Sequence, residues 1–338
     1  MDLISLFQDS YLYVRSTTMK YDPQKYPDEI ADVLALGERL RNWGRWGADD
    51  ERGTANLIKP EHRVHAASLV KRGAVISLAL PIRHGEGPVR PYPAGRFNPV
   101  HTMTVTGDTR GPFDMGATTD FTDDIITMGL QGTTHWDGLC HVYYQDMLYN
   151  GFPASSVDRF GAHKNAIGAL ATDFVARGVL LDIARFKGVR TLEAGYSIRP
   201  HELLECAEKQ NVTLGQGDML LIRTGAMADV GRNNWDDFHS KPRPGIHYST
   251  AEMIHDLGIA TVSADNNAVE SGSTVKGLSN PFHMVALRDM GVSLGEFWFL
   301  EDIADDCAND GVYEFMLVAQ PLRVIEGAGS PVNPLAIK

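Results

Sequence analysis

The sequence has few cysteines, and they are not arranged as a metal-binding or disulfide motif. Its 338 residues include three cysteines, Cys140, Cys206 and Cys307, with no C-x-x-C pair. An odd number of widely spaced cysteines argues against a disulfide framework and against a cysteine-rich zinc site. We therefore expect a protein of the reducing cytoplasm.

Positive charge is also scarce, and long apolar runs are missing. Lys and Arg number 31 against 43 Asp and Glu, which gives a formal net charge of −12. Nucleic-acid-binding proteins gain affinity from clustered cations, so we expect no nucleic-acid partner. No stretch approaches 18 consecutive apolar residues, and the N-terminus lacks the features of a secretory signal. We therefore expect no membrane association.

Short apolar runs mixed with helical patterns predict an α/β protein. The strand-like runs are 74–80, 101–106, 124–131, 178–183, 218–223, 259–263 and 313–319. Helical spacing appears at 27–40, 60–72, 200–209, 249–257 and 281–290. Ser249 and Glu252 have the spacing of a helix capping box. No interdomain linker is visible, so we predict an N-terminal helical extension (1–45) and one domain (46–338).

The segment 125–144 (IITMGLQGTTHWDGLCHVYY) carries the chemistry-bearing side chains. In an extended chain, side chains alternate between the two faces. This alternation places the following polar side chains on one face: Thr127, Gln131, Thr133, His135 and Asp137. The apolar set on the opposite face is Ile126, Met128 and Leu130.

His135 and Asp137 are the pair in this segment with metal-ligand chemistry. Their backbone positions would be roughly 6.5–7 Å apart, close enough for both side chains to bind one ion. An imidazole and a carboxylate suit Zn²⁺ or Mn²⁺. A bend at Gly138 would bring His141 to the same site as a proton carrier. Taken alone, however, an H-x-D pair is more commonly a hydrogen-bonded surface pair than a ligand set.

The motif QGTTHWDGLCH (131–141) resembles the signature H-x-G-T-H-x-D-x-P-x-H of the cyclase-like metal-dependent hydrolases. That family includes bacterial kynurenine formamidase and isatin hydrolase. Other blocks resemble the family in the same order, at 42–58, 177–185, 217–225, 244–266 and 283–296. The resemblance implies a swivelling β/β/α fold, with a mixed sheet and flanking helices, in a longer-chain branch of the family. It also implies a homodimer or higher homo-oligomer.

The same resemblance implies the functional residues. It places metal ligands at Gln131, His135, Asp137, His283 and Glu296, for one or two Mn²⁺ or Zn²⁺ ions per chain. His141 takes the place of the proton-transfer histidine, and Glu296 is a second catalytic acid–base candidate. Without the resemblance, His283 and Glu296 would be interpreted as ordinary, partly exposed residues.

Gln131 departs from the signature, which has His at this position. An amide oxygen is a weaker ligand than imidazole for Zn²⁺ but is acceptable to Mn²⁺. The ion would then be held loosely, the site would be mononuclear, or the metal preference would shift. Cys140 is open to interpretation as a soft ligand, a nucleophile or a buried structural thiol, and its parity in the chain favours the last.

The activity implied by the resemblance is metal-dependent hydrolysis of a small cyclic amide, aryl formamide or lactone, with His141 as proton shuttle. One alternative is a metal-assisted lyase or cyclase reaction, by dehydration or ring closure, at the same site. Another is a catalytically inactive binding protein, suggested by Gln131. Trp136, between the two ligands, and Arg96, a group for a substrate carboxylate or a loop anchor, are the substrate-pocket candidates.

Overall fold

The computed structural model describes residues 28–89, 95–108, 119–228, 235, 238 and 242–338. The loosely packed arm predicted for residues 1–25, and Pro27 as the start of the first helix, lie outside these ranges. Within them, no helix has the length and apolar character needed to span a membrane.

The helices and strands of the described residues follow one another in mixed order. The helices are α1 (Ile30–Arg39), α2 (Pro60–Ser68), α3 (Ile183–Phe186), α4 (Pro200–Lys209), α5 (Thr250–Leu257), α6 (Pro281–His283) and α7 (Glu301–Asp310). The strands are β1 (Val75–Ser77), β2 (Val100–Val105), β3 (Asp123–Thr127), β4 (His135–Asp137), β5 (Val157–Asp158), β6 (Gly161–Ala162), β7 (Val175–Asp182), β8 (Ser197–Ile198), β9 (Met219–Arg223), β10 (Gly245–Ile246), β11 (Thr261–Ala264), β12 (Ser293–Glu296), β13 (Glu314–Val318), β14 (Gly329–Pro331) and β15 (Leu335–Ile337).

Nine of the described strands form one mixed sheet, in the order β1-β15-β13-β7-β9-β11-β12-β4-β14. The central strands β7, β9, β11 and β12 are parallel, and antiparallel strands continue the sheet on both sides. Strands β9 and β11 are buried along their whole length, as expected where both faces of a parallel sheet are covered. This architecture confirms the predicted α/β fold with a mixed sheet and flanking helices.

Strands β2 and β3 form a separate two-stranded ribbon, and here the prediction of one extended segment is wrong. Strand β3 is exposed at every position and ends at Thr127. The chain then turns before β4 begins at His135. The predicted buried face of Ile126, Met128 and Leu130 is therefore not formed, and Ile126 is 48% exposed. Only the alternation within β4 is realised.

Helix α1, in the predicted N-terminal extension, packs into the main hydrophobic core. Val33, Leu36 and Leu40 are buried in the same cluster as residues of β9 and β11.

The capping box predicted at the start of α5 is wrong. Ser249 has helical backbone angles instead of the extended ones of an N-cap residue, and its side chain makes no cap hydrogen bond. Its hydroxyl contacts Nδ1 of His247 (2.8 Å), and Glu252 accepts a hydrogen bond from Arg39 (2.6 Å).

Candidate metal centre

The register between β4 and β12 brings the central side chains of the site together. His135 and Asp137 are two residues apart in β4 and extend from the same face of the strand. Glu296 is the direct antiparallel partner of His135, so its side chain lies on that face as well. One ligand atom from each of these residues lies within 4.8 Å of the others, and all three side chains are buried.

Several polar atoms of this cluster are buried without a hydrogen-bond partner in the described structure. They are Nε2 of His135 and both carboxylate oxygens of Asp137. Nδ1 of His135 contacts the Thr133 carbonyl oxygen (2.7 Å), so it carries the proton and leaves Nε2 directed at the carboxylates. Nε2 is 3.4 Å from Asp137 Oδ1 and 3.5 Å from Glu296 Oε2.

Unpartnered buried polar atoms are costly, and in native proteins such groups nearly always have a partner. An imidazole nitrogen surrounded by carboxylate oxygens is a donor set that suits Mn²⁺ or Zn²⁺. The residues present therefore fit a divalent cation.

His283 lies beside the cluster, in the first turn of an irregular helix. The predicted helix 281–290 consists of the short α6 and a π-helical turn, Met284–Met290. Gly291 ends it with φ of +71°, and a Cβ there would lie 2.5 Å from the Tyr149 ring, so this position requires glycine. Nε2 of His283 is 3.0 Å from Glu296 Oε1 and 3.8 Å from Asp137 Oδ2.

The imidazoles and carboxylates of the cluster shift one another's pKa values. Burial acts to raise the pKa of Asp137, but His141, His135 and His283 hold it well below its usual range. Burial acts to lower the pKa of His283, but Glu270 and Glu296 raise it to about 10. Metal ligands must be deprotonated, so binding of a cation at this site is expected to release protons.

His141 lies at the solvent side of the cluster, in a turn closed by a hydrogen bond from its N–H to the Gly138 carbonyl (2.9 Å). Its Nε2 is 3.7 Å from Asp137 Oδ1, and its side chain is 23% exposed. Burial lowers its pKa, with help from the nearby Arg96 guanidinium, although Asp137 and Glu296 act in the opposite direction. Nη2 of Arg96 lies 3.4 Å from Nε2 of His141. The neutral imidazole is suited to accept a proton.

The structure places Gln131 in the turn before β4, half-buried. A Cβ built on Gly329 would lie 2.5 Å from Nε2 of Gln131, and Gly329 is the strand partner of Asp137. Gln131 is therefore next to the cluster, and its role as a ligand stays a prediction.

The interpretation of Trp136 as a pocket residue is wrong. Neighbouring residues of a strand point to opposite faces, so Trp136 points away from the side of His135 and Asp137. It is fully buried, packs on Phe174 and Trp298 with ring centroids 4.7 and 5.0 Å away, and donates a hydrogen bond to the Ala319 carbonyl.

Cys140 is buried beside Leu148 and Ala162, and burial raises the pKa of its thiol to about 12. A protonated thiol in an apolar cluster agrees with the structural interpretation of this residue.

His283 and Glu296 are not the partly exposed residues that their local sequence suggests, since they are only 2% and 5% exposed.

Sequence reasoning missed two parts of the site. Glu270 accepts a hydrogen bond from Nδ1 of His283 (2.6 Å). Phe297 lies 5.9 Å from the His135 ring and 6.0 Å from Phe238, which contacts Trp235. These residues come from separate segments, and no local spacing in the sequence connects them with the H-x-D pair.

The fold is shared with solved structures. A structure described as a novel cyclase has 44% identity and a TM-score of 0.82, and the match covers 89% of this chain and 99% of that one. Isatin hydrolase A from Labrenzia aggregata has 17% identity and a TM-score of 0.59, with 80% and 94% covered. An isatin hydrolase bound to the product analogue thioisatinate has 15% identity and a TM-score of 0.57, with 80% and 93% covered.

The sequence profile of the family described as "Putative cyclase" matches residues 62–271. The chain therefore belongs to this cyclase family, which confirms the predicted relationship. No curated protein sequence matches the chain.

Proposed function

We propose that the protein is a metal-dependent hydrolase that opens or cleaves a small cyclic amide, an aryl formamide or a lactone. The observation that carries this proposal is the buried cluster of His135, Asp137 and Glu296. Three of the nitrogen and oxygen atoms in this cluster have no hydrogen-bond partner in the described structure.

His135, Asp137 and Glu296 would hold the ion, with His283 and Gln131 as neighbouring ligand positions for one or two Mn²⁺ or Zn²⁺ ions. When bound, the ion supplies Lewis-acid chemistry, polarising a carbonyl oxygen and favouring the deprotonation of nearby water. The burial of the three side chains excludes competing water and strengthens electrostatic interactions at the site.

His141 moves the proton in this proposal. Its neutral Nε2 takes a proton from the attacking water and donates it to the leaving nitrogen or oxygen. Glu296, buried and 3.0 Å from His283, is the second acid–base group. Burial and, to a smaller extent, Arg96 lower the pKa of His141. The Arg96 guanidinium would also bind a negatively charged group of the substrate.

The apolar side of the site favours a ring-containing substrate. Phe297, Phe238 and Trp235 belong to one hydrophobic cluster, and the first of these packs against His135. Aromatic side chains bind aromatic ligands through offset or edge-to-face contacts. An aryl formamide or a benzo-fused lactam would meet both the aromatic rings and Arg96.

Metal removal tests the proposal. Protein purified without added metal is analysed for its metal content and stripped with a chelator. It is then assayed on N-formyl arylamines, isatin-type lactams and small lactones, with and without Mn²⁺ or Zn²⁺. We expect hydrolysis that requires the ion. Full activity in completely metal-free protein would contradict the proposal.

Ring closure is the second candidate, because the matching family is described as cyclases. The residues of the metal centre would then bring a nucleophilic group of the substrate to a carbonyl group of the same substrate molecule. Product analysis in ¹⁸O-labelled water separates the two reactions, since only hydrolysis places the label in a new carboxylate.

A homo-oligomer is also part of the proposal. The β2–β3 ribbon exposes apolar side chains, with Val100 42%, Met103 43%, Ile125 56% and Ile126 48% accessible. An isolated two-stranded ribbon is marginally stable in water. A second copy of the chain would cover it. Light scattering on the wild type and on the double variant Ile125→Asn/Ile126→Asn is expected to show a multimer and a smaller species, respectively.

A further inference from the structure

Glu270 is a buried carboxylate that uses both of its oxygens on one short helical segment. Oε1 accepts hydrogen bonds from Nδ1 of His283 (2.6 Å) and from its backbone N–H (3.0 Å). Oε2 accepts one from the N–H of Phe282 (2.9 Å). Glu270 is only 2% exposed. One side chain thus holds both the ring and the backbone of His283.

These contacts determine which nitrogen of His283 faces the metal centre. Because Nδ1 donates its proton to Glu270, Nε2 is the atom directed at Glu296 (3.0 Å) and Asp137 (3.8 Å). Histidines in metal sites commonly donate their second ring N–H to a carboxylate, which orients the ring and makes the other nitrogen a better ligand. The arrangement around His283 has this form.

The backbone next to both carboxylates adopts a rare conformation. Val269, just before Glu270, has φ of +57°, and Phe297, just after Glu296, has φ of +55°. Bulky residues seldom adopt positive φ, and where they do, the surrounding structure must hold them there. Asn266 holds both of these residues by hydrogen bonds. Its backbone carbonyl accepts one from the N–H of Phe297 (2.8 Å), and its side-chain amide donates one to the Val269 carbonyl (3.2 Å). The two carboxylates on either side of His283 are therefore held by one loop.

We propose that Glu270 is a positioning residue of the metal centre, which holds Nδ1–H of His283 and directs Nε2 to an ion shared with Asp137 and Glu296. This inference rests on the proposed metal-dependent function. Glu270 acts through His283 and itself contacts neither the ion nor the substrate.

The test compares the affinity of the metal-free, full-length protein for Mn²⁺ in the wild type and in Glu270→Gln, by titration calorimetry. The amide group keeps the size of the side chain but loses its charge, and it cannot accept hydrogen bonds at both ends. Loss of such an outer partner weakens metal binding by about 10- to 100-fold. We expect a weakening within that range.

Asp265→Asn is the matched control. Asp265 lies in the same loop and is fully buried, but its carboxylate accepts hydrogen bonds from Thr224 and from the N–H of Gly225. A merely structural effect of losing a buried carboxylate would appear equally in this variant. We expect it to lower the melting temperature and to leave Mn²⁺ affinity within about twofold of the wild type, because its hydrogen bonds do not reach a ligand.

A second measurement follows the imidazole directly. In spectra of ¹⁵N-histidine-labelled, metal-free protein, the strongly hydrogen-bonded Nδ1–H of His283 is expected in the wild type and in Asp265→Asn, and is expected to be lost in Glu270→Gln. If Glu270→Gln does not fold, Glu270→Asp replaces it, since the shorter carboxylate keeps the charge but withdraws from Nδ1.

Folded Glu270 variants with wild-type Mn²⁺ affinity and an unchanged Nδ1–H signal overturn the inference while leaving the proposed function intact. A wild-type protein that binds neither Mn²⁺ nor Zn²⁺ overturns both, and the wild-type titration distinguishes this result from the first.

Discussion

Nε2 of His135 lies 3.5 Å from Oε2 of Glu296, although the two residues come from strands that are far apart in the chain. They meet because the antiparallel register of β4 and β12 places them directly opposite each other. A slip of one residue in this register would turn Glu296 to the other face of the sheet. The metal centre therefore depends on strand pairing as much as on the local H-x-D spacing.

Glu296→Gln is expected to weaken binding of Mn²⁺ or Zn²⁺ by more than about 100-fold, beyond the usual loss for a residue outside the ligand shell. An amide supplies a neutral oxygen where the cluster has a carboxylate. The measurement is a metal titration of chelator-treated protein, together with hydrolysis of the best substrate.

Glu301→Gln is the control for that variant. Glu301 forms an ion pair with Arg223 (2.8 Å) and is not one of the proposed metal ligands. Its substitution therefore removes a carboxylate that is not a proposed ligand. It is expected to keep wild-type metal affinity. Equal affinities of the Glu296 and Glu301 variants would show that Glu296 is not a ligand.

His141→Ala is expected to lower kcat by about 100- to 10,000-fold, the usual contribution of a general acid–base group. The bound metal should be retained, because His141 is a proton carrier in the proposal and not one of the metal ligands. Steady-state kinetics and metal analysis of the same preparation measure the two effects. His163→Ala is the control, since His163 is 45% exposed and pairs with Asp158 and Glu326. An unchanged kcat in His141→Ala would exclude the proton shuttle.

Local sequence patterns predicted several buried strands and helices well, but not β12 (Ser293–Glu296), which carries Glu296. Helix α4 has the predicted bounds, and β9 differs from the prediction by one residue. These elements are determined by apolar spacing and by a proline at the first helical turn, which act within a few residues. His135 and Asp137 were found for the same reason, because a spacing of two defines one face of a strand.

The rest of the site depends on long-range packing. Glu296 and His283 were predicted only through the family resemblance, and Glu270 was not predicted at all. Val269, the residue before Glu270, has a left-handed backbone, which no propensity favours in a β-branched residue. Trp136 failed as a pocket residue because its place between two ligands in the sequence puts it on the opposite face of the strand.

Gln131→His is expected to tighten metal binding by at least about tenfold, with a larger gain for Zn²⁺ than for Mn²⁺, because imidazole is the better ligand for Zn²⁺. Gln131 already lies against Gly329, the strand partner of Asp137. Titrations with both ions measure the effect, and Gln131→Ala serves as the control without a ligand atom. If the His and Ala variants bind metal equally, position 131 does not face the ion. Gln131 then no longer supports the hypothesis of a catalytically inactive binding protein.

His247 is expected to make folding pH-dependent. Its Nδ1 faces the Arg199 guanidinium (3.0 Å), and its Nε2 contacts Asp28 (2.7 Å). Burial and then Arg199 lower its pKa from 6.5 to about 4, against the effect of Asp28. The unfolded chain binds this proton more tightly, so the stability is present above pH 6.5 and is lost as the pH falls towards 4. His247→Asn keeps an acceptor for Arg199 but does not titrate. In urea unfolding with chelator present, the wild type should lose up to about 3 kcal/mol more than this variant across that range, and parallel curves would contradict the assignment.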